Sequence, residues 1–486
     1  MMKQHKIILL AGWLLACACN MSRIDMQSDE VIGIVPDYCG ITVPYNIAPL
    51  NFSVPGIENG FIQVEGKRAG RKVFKIWNGN VEFPVTAWKK LLEKEKGGKL
   101  KFTIATPSEH GFTGYAPFEI EIADEPIDPF LVYRLIEPGY ELWGEMGIYQ
   151  RSLENFREEA LIENKSTAMN CMNCHSFCER EPEKMLFHMR ADYSGTYVMK
   201  DEKYRKLNLK NCAGLKSLVY PAWHPQGRFI AFSTNDTKQG FHVNDRNRIE
   251  VYDRSSDIVL YDTHENRLFT TPLLYSKDRF ETFPTFSPDG KSLYYCSAKA
   301  RPMPDLYKEV HYDLCRIDFH PETGKTGQQA DTIYKSEAQS SASFPRISPD
   351  GRYLLFTVSD YGNFSIWHKE ADLKMIDLKS GKEVDLSAWN SRETESYHSW
   401  SSNGKWVVFS SRRMDGLYTR PFLGYMRADG SAGKAFVLPQ KYTRYYDELM
   451  KSYNIPEFLT RPANLSAYQV TGDCEELLPD NLEVIH

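Results

Sequence analysis

The chain has 486 residues, 42% of them hydrophobic, 25% charged and 13% aromatic, with a formal net charge of −5. Such a length exceeds one ordinary hydrophobic core, so two or three domains are expected. The balance is that of a soluble globular protein, and without a long basic block nucleic acid is set aside as a partner. The 28 Tyr and 26 Phe lean toward β-structure, where rings pack well on pleated surfaces.

Residues 1–19 read as a secretory signal rather than as part of the fold. Lys3 and Lys6 precede an apolar run from Ile7 to Leu15, which ends in Ala16-Cys17-Ala18-Cys19. The run is too short to span a bilayer as a mature helix. The segment resembles a bacterial lipoprotein signal, in which a cysteine after small residues is acylated and becomes the new N-terminus. Leu14-Leu15-Ala16-Cys17 fits best, with Cys19 as the alternative acceptor. The resemblance implies an exported protein, lipid-anchored in the bacterial cell envelope and facing the periplasm or the cell surface. That compartment would permit disulfides among Cys39, Cys178, Cys212, Cys296, Cys315 and Cys474, with a connectivity the sequence leaves open.

Residues 20–130 are expected to form a β-rich, immunoglobulin-sandwich-like domain. Apolar alternation marks strands over 60–64, 72–77, 101–105 and 118–122. A strand with one buried face alternates in this way. One helix is expected near Trp88 to Lys96.

Residues 131–200 hold the motif with the sharpest chemistry, Cys171-Met172-Asn173-Cys174-His175. Cys-x-x-Cys-His reads as a site for one covalent haem c. The two thiols add across the vinyl groups, and the adjacent His becomes the proximal iron ligand. The rivals are a disulfide, a thioredoxin-like pair, or a zinc site completed by Cys178. For the second iron ligand, His188 is the first choice and Met189 or Met185 the alternatives, all in the run Met185-Leu186-Phe187-His188-Met189-Arg190. Arg190 could hold a haem propionate by a bidentate contact.

Residues 201–486 carry a repeat. Tyr220-Pro221-Ala222-Trp223 recurs as Phe283-Pro284-Thr285-Phe286, as Phe344-Pro345-Arg346-Ile347 and, degenerately, as Tyr397-His398-Ser399-Trp400. Each is followed by a tight turn, such as Ser287-Pro288-Asp289-Gly290, and by an apolar strand. Strands and a turn at a spacing of about 53–63 residues are what a propeller blade requires. These copies resemble the WD40-like repeats of TolB-type β-propellers over roughly Val219 to Pro439. The expected class is therefore mainly β, with a C-terminal propeller of six blades, or of five. Diverged blades would come from 195–209 and from the C-terminal tail. His224 stands where other copies carry Ser and reads as a turn residue. Asn244-Asp245-Arg246-Asn247-Arg248 reads as a long blade loop, or as a partner surface.

Together these features suggest electron transfer in the envelope, with the propeller docking a redox or scaffold protein and the lipid holding the chain to a membrane. The alternatives are a haem enzyme or oxidoreductase subunit of peroxidase type, and a binding or sensing propeller with a structural haem. No hydrolase or phosphate-binding signature is present to name catalytic residues.

Overall fold

The computed structural model describes residues 23–137, 144–200, 203–212, 214–465, 467–472 and 474–486. The signal and its Cys17 and Cys19 lie outside them. The chain divides into two units: residues up to 126 with 439–448, and residues 127–438 with 449–486.

In the first unit the expected strands are Asn59–Gly66, Gly70–Trp77, Lys99–Ser108 and Phe118–Ala123, and the expected helix is Val85–Glu95. The helix buries Trp88, Leu91 and Leu92. The Trp88 ring lies 4.9 Å from Phe83, which in turn is 6.3 Å from Phe102. Nine strands join in a single hydrogen-bonded sheet, where alternation suggests a two-sheet sandwich. Alternation requires only one buried face, and the helix also contributes to covering it.

The second unit is a six-bladed β-propeller. Blade I pairs Phe130–Ile136, Gly147–Ser152 and Glu158–Glu163 with the C-terminal strand Ser452–Leu459, which lies innermost. Blade II runs from Met172–Phe177 through Met185–Met189 and Gly195–Lys200 to Lys203–Leu207. Blades III to VI begin at Val219–Trp223, Arg279–Phe286, Ser341–Ile347 and Glu395–Trp400, the four sequence repeats. Two short tail strands, Glu475–Leu477 and Leu482–Val484, add in parallel to the outer edges of blades II and III. Residues 131–200, read from the sequence as a haem-bearing segment, thus supply most of blade I and all but the edge strand of blade II. The strand Ser452–Leu459, from near the far end of the sequence, completes the first blade and so closes the ring.

One device repeats in all six innermost strands. A single residue takes a positive φ: Ile455 (50°), Cys174 (53°), Tyr220 (47°), Phe283 (50°), Phe344 (52°) and Tyr397 (46°). The pairing register shifts at the same place in every blade. Such a bulge bends the strand and re-aims its side chain. Four of the re-aimed rings converge: Tyr220 is 4.6 Å from Phe283, Phe283 is 4.0 Å from Phe344, and Phe344 is 4.7 Å from Tyr397. The positive φ costs free energy at each non-glycine position, and packing offsets it.

The tight turns behave as their sequences demand. Ser287 donates to Asp289 Oδ1 (2.6 Å), which also accepts from Lys291 N (3.0 Å), and Gly290 takes φ 70°. His224 holds the equivalent place in blade III. Its Nδ1 accepts from Gln226 N (3.2 Å) and its Nε2 lies 3.1 Å from Gly290 O. The Asn244–Arg248 stretch lies at the tip of a long hairpin in blade III, Phe229–Phe241 with Ile249–Asp262. This hairpin is pinned to blade V: Arg246 pairs with Asp360, Tyr361 donates to Glu250 (2.9 Å), and Asn363 donates to Asp253 (2.8 Å).

Candidate functional site on the inner strand of blade II

The bulge positions align the cysteine motif with the propeller repeat. Cys174-His175-Ser176-Phe177 occupies the place of Tyr397-His398-Ser399-Trp400 in blade VI and of Tyr220-Pro221-Ala222-Trp223 in blade III. Cys174 therefore stands where an aromatic ring stands in four of the other blades, and its thiol faces the channel. Burial raises its pKa above the ordinary thiol value. Cys171 and Cys174 both line a channel cavity of about 270 Å³. Cys174 also lines an adjoining cavity of about 640 Å³, which it shares with Asn173 and Arg190. The structure thus brings both thiols of the motif to one connected space.

His175 faces the other way, into the contact between blades I and II. It is 2% exposed and its ring lies 6.3 Å from Phe177. Burial, and next the Arg134 charge, push its pKa down to about 3, so the ring is neutral. The Ile455 backbone is close enough to pull weakly upward, yet neither ring nitrogen makes a hydrogen bond of normal geometry. His398, in the same repeat position of blade VI, brings Nε2 to within 3.1 Å of Leu355 O and leaves only Nδ1 without a partner. A fully buried imidazole with both nitrogens unpaired calls for an explanation, and an absent ligand is one.

Cross-strand register separates the other candidates. Asn173 lies opposite His188, Met172 opposite Met189 and Phe177 opposite Met185. Met172, Phe177, Met185 and Met189 belong to the core between blades I and II, on the His175 side. His188 lines the 640 Å³ cavity with Leu218 and Val219 of the neighbouring blade III side. His175 and His188 therefore occupy opposite faces of one sheet, because successive residues of a strand alternate.

His188 has one ring nitrogen held and the other open. Thr196 donates its hydroxyl proton to Leu218 O (3.1 Å), so its oxygen accepts from His188 Nδ1 (3.0 Å). Nε2 then carries the free lone pair. Burial, followed by the Arg190 charge, lowers the pKa to about 3 and keeps that lone pair bare. Arg190 stands at the rim of both cavities.

Cys178 does not join the motif. It is buried in the core between blades II and III, with Sγ 3.6 Å from His224 O. Among the described residues no cluster of three or more His, Cys, Asp or Glu could hold a metal ion, and the eight described cysteines are all free thiols. The zinc and disulfide readings of the motif thus find no support in the geometry. Two arginines of the site, Arg134 and Arg412, carry no sequence signal, because each comes from a different blade and joins the cavity only when the ring closes.

No known protein family matches the chain, and no curated protein does. Solved structures match at low similarity. One is an oligogalacturonate lyase in complex with manganese, 10% identical over 62% of this chain and 78% of its own, at a TM-score of 0.36. A puromycin-hydrolysing peptidase of Mycobacterium tuberculosis is 13% identical over 71% of this chain and 52% of its own, at 0.36. The tricorn protease is 12% identical over 80% of this chain and 43% of its own, at 0.32. Likeness at this level carries no argument about the site, and the propeller class rests on the strand order itself.

Proposed function

We propose that this chain is a cell-envelope protein carrying one covalent haem c, which transfers electrons while the propeller docks a redox or scaffold protein. Lipid on Cys17, or on Cys19, would hold it to a membrane, in keeping with the lipoprotein-like signal. The repeat resembles that of TolB-type propellers. The observation that carries the haem reading is the contrast between two histidines in one repeat position. His398 Nε2 lies 3.1 Å from a carbonyl, and neither nitrogen of His175 has a partner of normal geometry, although the Ile455 backbone lies close.

Cys171 and Cys174 would hold the group. Each S–H adds across a vinyl C=C, sulfur to one carbon and hydrogen to the other, with no leaving group. His175 would be the proximal ligand. It faces away from the cavity that the two thiols line, so the strand would have to re-aim it for all three to meet one group. For the second axial position the sheet geometry favours Met189 or Met185, on the His175 face, over His188. When bound, such a group exchanges single electrons at a potential set by its axial ligands and surroundings. The chain's own part would be to hold it through the two thiols at the channel cavity.

The test is expression with a c-type maturation system, followed by haem staining on a denaturing gel. Stain should persist in the wild type and be lost or reduced in Cys171→Ala and Cys174→Ala. An unstained wild type under those conditions removes the proposal.

A further inference from the structure

Most arginines in the propeller blades are paired. Arg228 meets Asp262 at 2.7 Å, Arg352 meets Asp377 at 2.9 Å, and Arg413 meets Glu395 at 3.0 Å. The channel cavity beside Cys171 and Cys174 breaks this pattern. It is lined by Arg134 of blade I, Arg190 at the end of a blade II strand and Arg412, which follows a blade VI strand. Among the described residues no carboxylate lies within 4.0 Å of any of the three guanidinium groups. Arg134 spends one nitrogen on Met172 O (3.1 Å), and its Nε has no partner. Arg412 lies over the Trp367 ring at 4.4 Å, and its Nε also has no partner. The one acid in the cavity wall, Glu137, accepts from Gly144 N at 2.9 Å.

Unpaired cations that line one cavity repel one another, and Arg134 and Arg412 are partly buried while Arg190 is exposed at the rim. Burial pushes even the Arg412 guanidinium down to about 10, with Tyr397, Asp415 and Glu393 pulling only weakly upward. The fork of a guanidinium matches a carboxylate bidentately, and stacking on Trp367 fixes the fork of Arg412 in place. Gln239 and Val251 of the blade III hairpin line the same cavity, so the hairpin would cover part of a bound anion.

We infer that Arg134, Arg190 and Arg412 form a carboxylate-binding site in the propeller channel, taking a ligand with two carboxylates. Those carboxylates belong either to the propionates of the proposed haem or to a free dicarboxylic acid. The site itself does not depend on the haem reading, since the cavity and its arginines stand without it.

Succinate is the probe, titrated calorimetrically into the full-length protein in two forms: haem-loaded, and haem-free through Cys171→Ser with Cys174→Ser. The haem-free form should bind succinate, and Arg134→Gln with Arg412→Gln should weaken binding at least tenfold. Arg412→Lys, which keeps the charge but loses the fork, should weaken it less and guards against a variant that does not fold. If the propionates are the natural occupants, the haem-loaded form excludes succinate and the Gln variant lowers the reduction potential, because cations near the ring favour the reduced state. If a free acid is the natural occupant, the haem-loaded form binds succinate too and its potential does not move. Absence of arginine-dependent succinate binding together with an unmoved potential overturns the site. A wild type that never acquires haem defeats the haem reading alone, and the haem-free titration then decides the site by itself.

Discussion

The two histidines of the repeat allow a test with opposite expected signs. His175 is buried with two unpaired nitrogens. In haem-free protein, His175→Leu removes the orphaned polar atoms at similar volume. A buried unsatisfied group costs about 1–3 kcal/mol, so this substitution should stabilise the chain by that amount. His398→Leu does the reverse. It takes the partner from Leu355 O, a buried carbonyl now 3.1 Å from Nε2, and should cost about 1–3 kcal/mol. Domains of 150–250 residues shift by about 2–4 °C per kcal/mol, and a larger propeller by somewhat less. Calorimetric melting should therefore show one variant a few degrees above wild type and the other a few degrees below. Haem-loaded protein should lose the advantage of His175→Leu, since the ring nitrogen is then used. If His175→Leu melts at or below wild type in the haem-free state, the ring is satisfied by some other route. The argument from the orphaned imidazole then fails.

Further outcomes follow from burial and closure. Burial, with the Asp257 charge adding to it, holds the Glu281 proton up to about pH 8, against 4.5 for the ordinary carboxyl. Its contribution is complete below about pH 4.5 and is lost as pH rises toward 8, so Glu281→Gln should flatten the fall in denaturation midpoint between pH 5 and 8.5. The difference is expected at about 1–4 kcal/mol, and parallel curves would refute it. Trp389 is fully buried, and its Nε1 donates to Gly433 O at 2.9 Å. Trp389→Ala should cost about 3–5 kcal/mol in denaturant titration, and a loss under 1 kcal/mol would show that the core refills. A chain ended at Leu449 lacks Ser452–Leu459, the innermost strand of blade I. It should bind a hydrophobic dye and melt broadly, and a sharp native-like transition would show that the ring does not need that closure.

The propeller was legible where the repeats keep their aromatic and proline. Blades III to VI each begin within one to four residues of the strand that carries the motif, because the turn chemistry of Pro-Asp-Gly is local. Blades I and II were legible only in part, through 195–209 and the C-terminal tail, for two reasons. The inner strand of blade I is contributed from the far end of the chain, and Ile455-Pro456-Glu457-Phe458 lacks both the aromatic and the turn that follows it elsewhere. In blade II the aromatic is replaced by Cys174 and the proline by His175, so the same residues that spell the cofactor motif also conceal the repeat. The pairing of His175 with His188 could not be judged from thirteen intervening residues. Chain length fixes reach, whereas the face on which a side chain emerges is set by a bulge whose presence only the paired sheet reveals.

The bulge also explains why this position suits an attached group. Five blades use the positive φ at this place to turn a large apolar side chain toward the channel, where four rings pack at 4.0–4.7 Å from one another along the row. A cysteine there fills far less volume, so the ring of six side chains opens beside blade II, and the cavities lined by Cys174 lie at that opening. A small side chain in a close-packed layer ordinarily leaves a costly void. Here the void is bordered by two thiols, a row of unpaired arginines and, across the strand, an unpaired imidazole. Each of these is unfavourable alone, and their coincidence on one strand and its neighbours is the physical ground on which the proposed attached group rests.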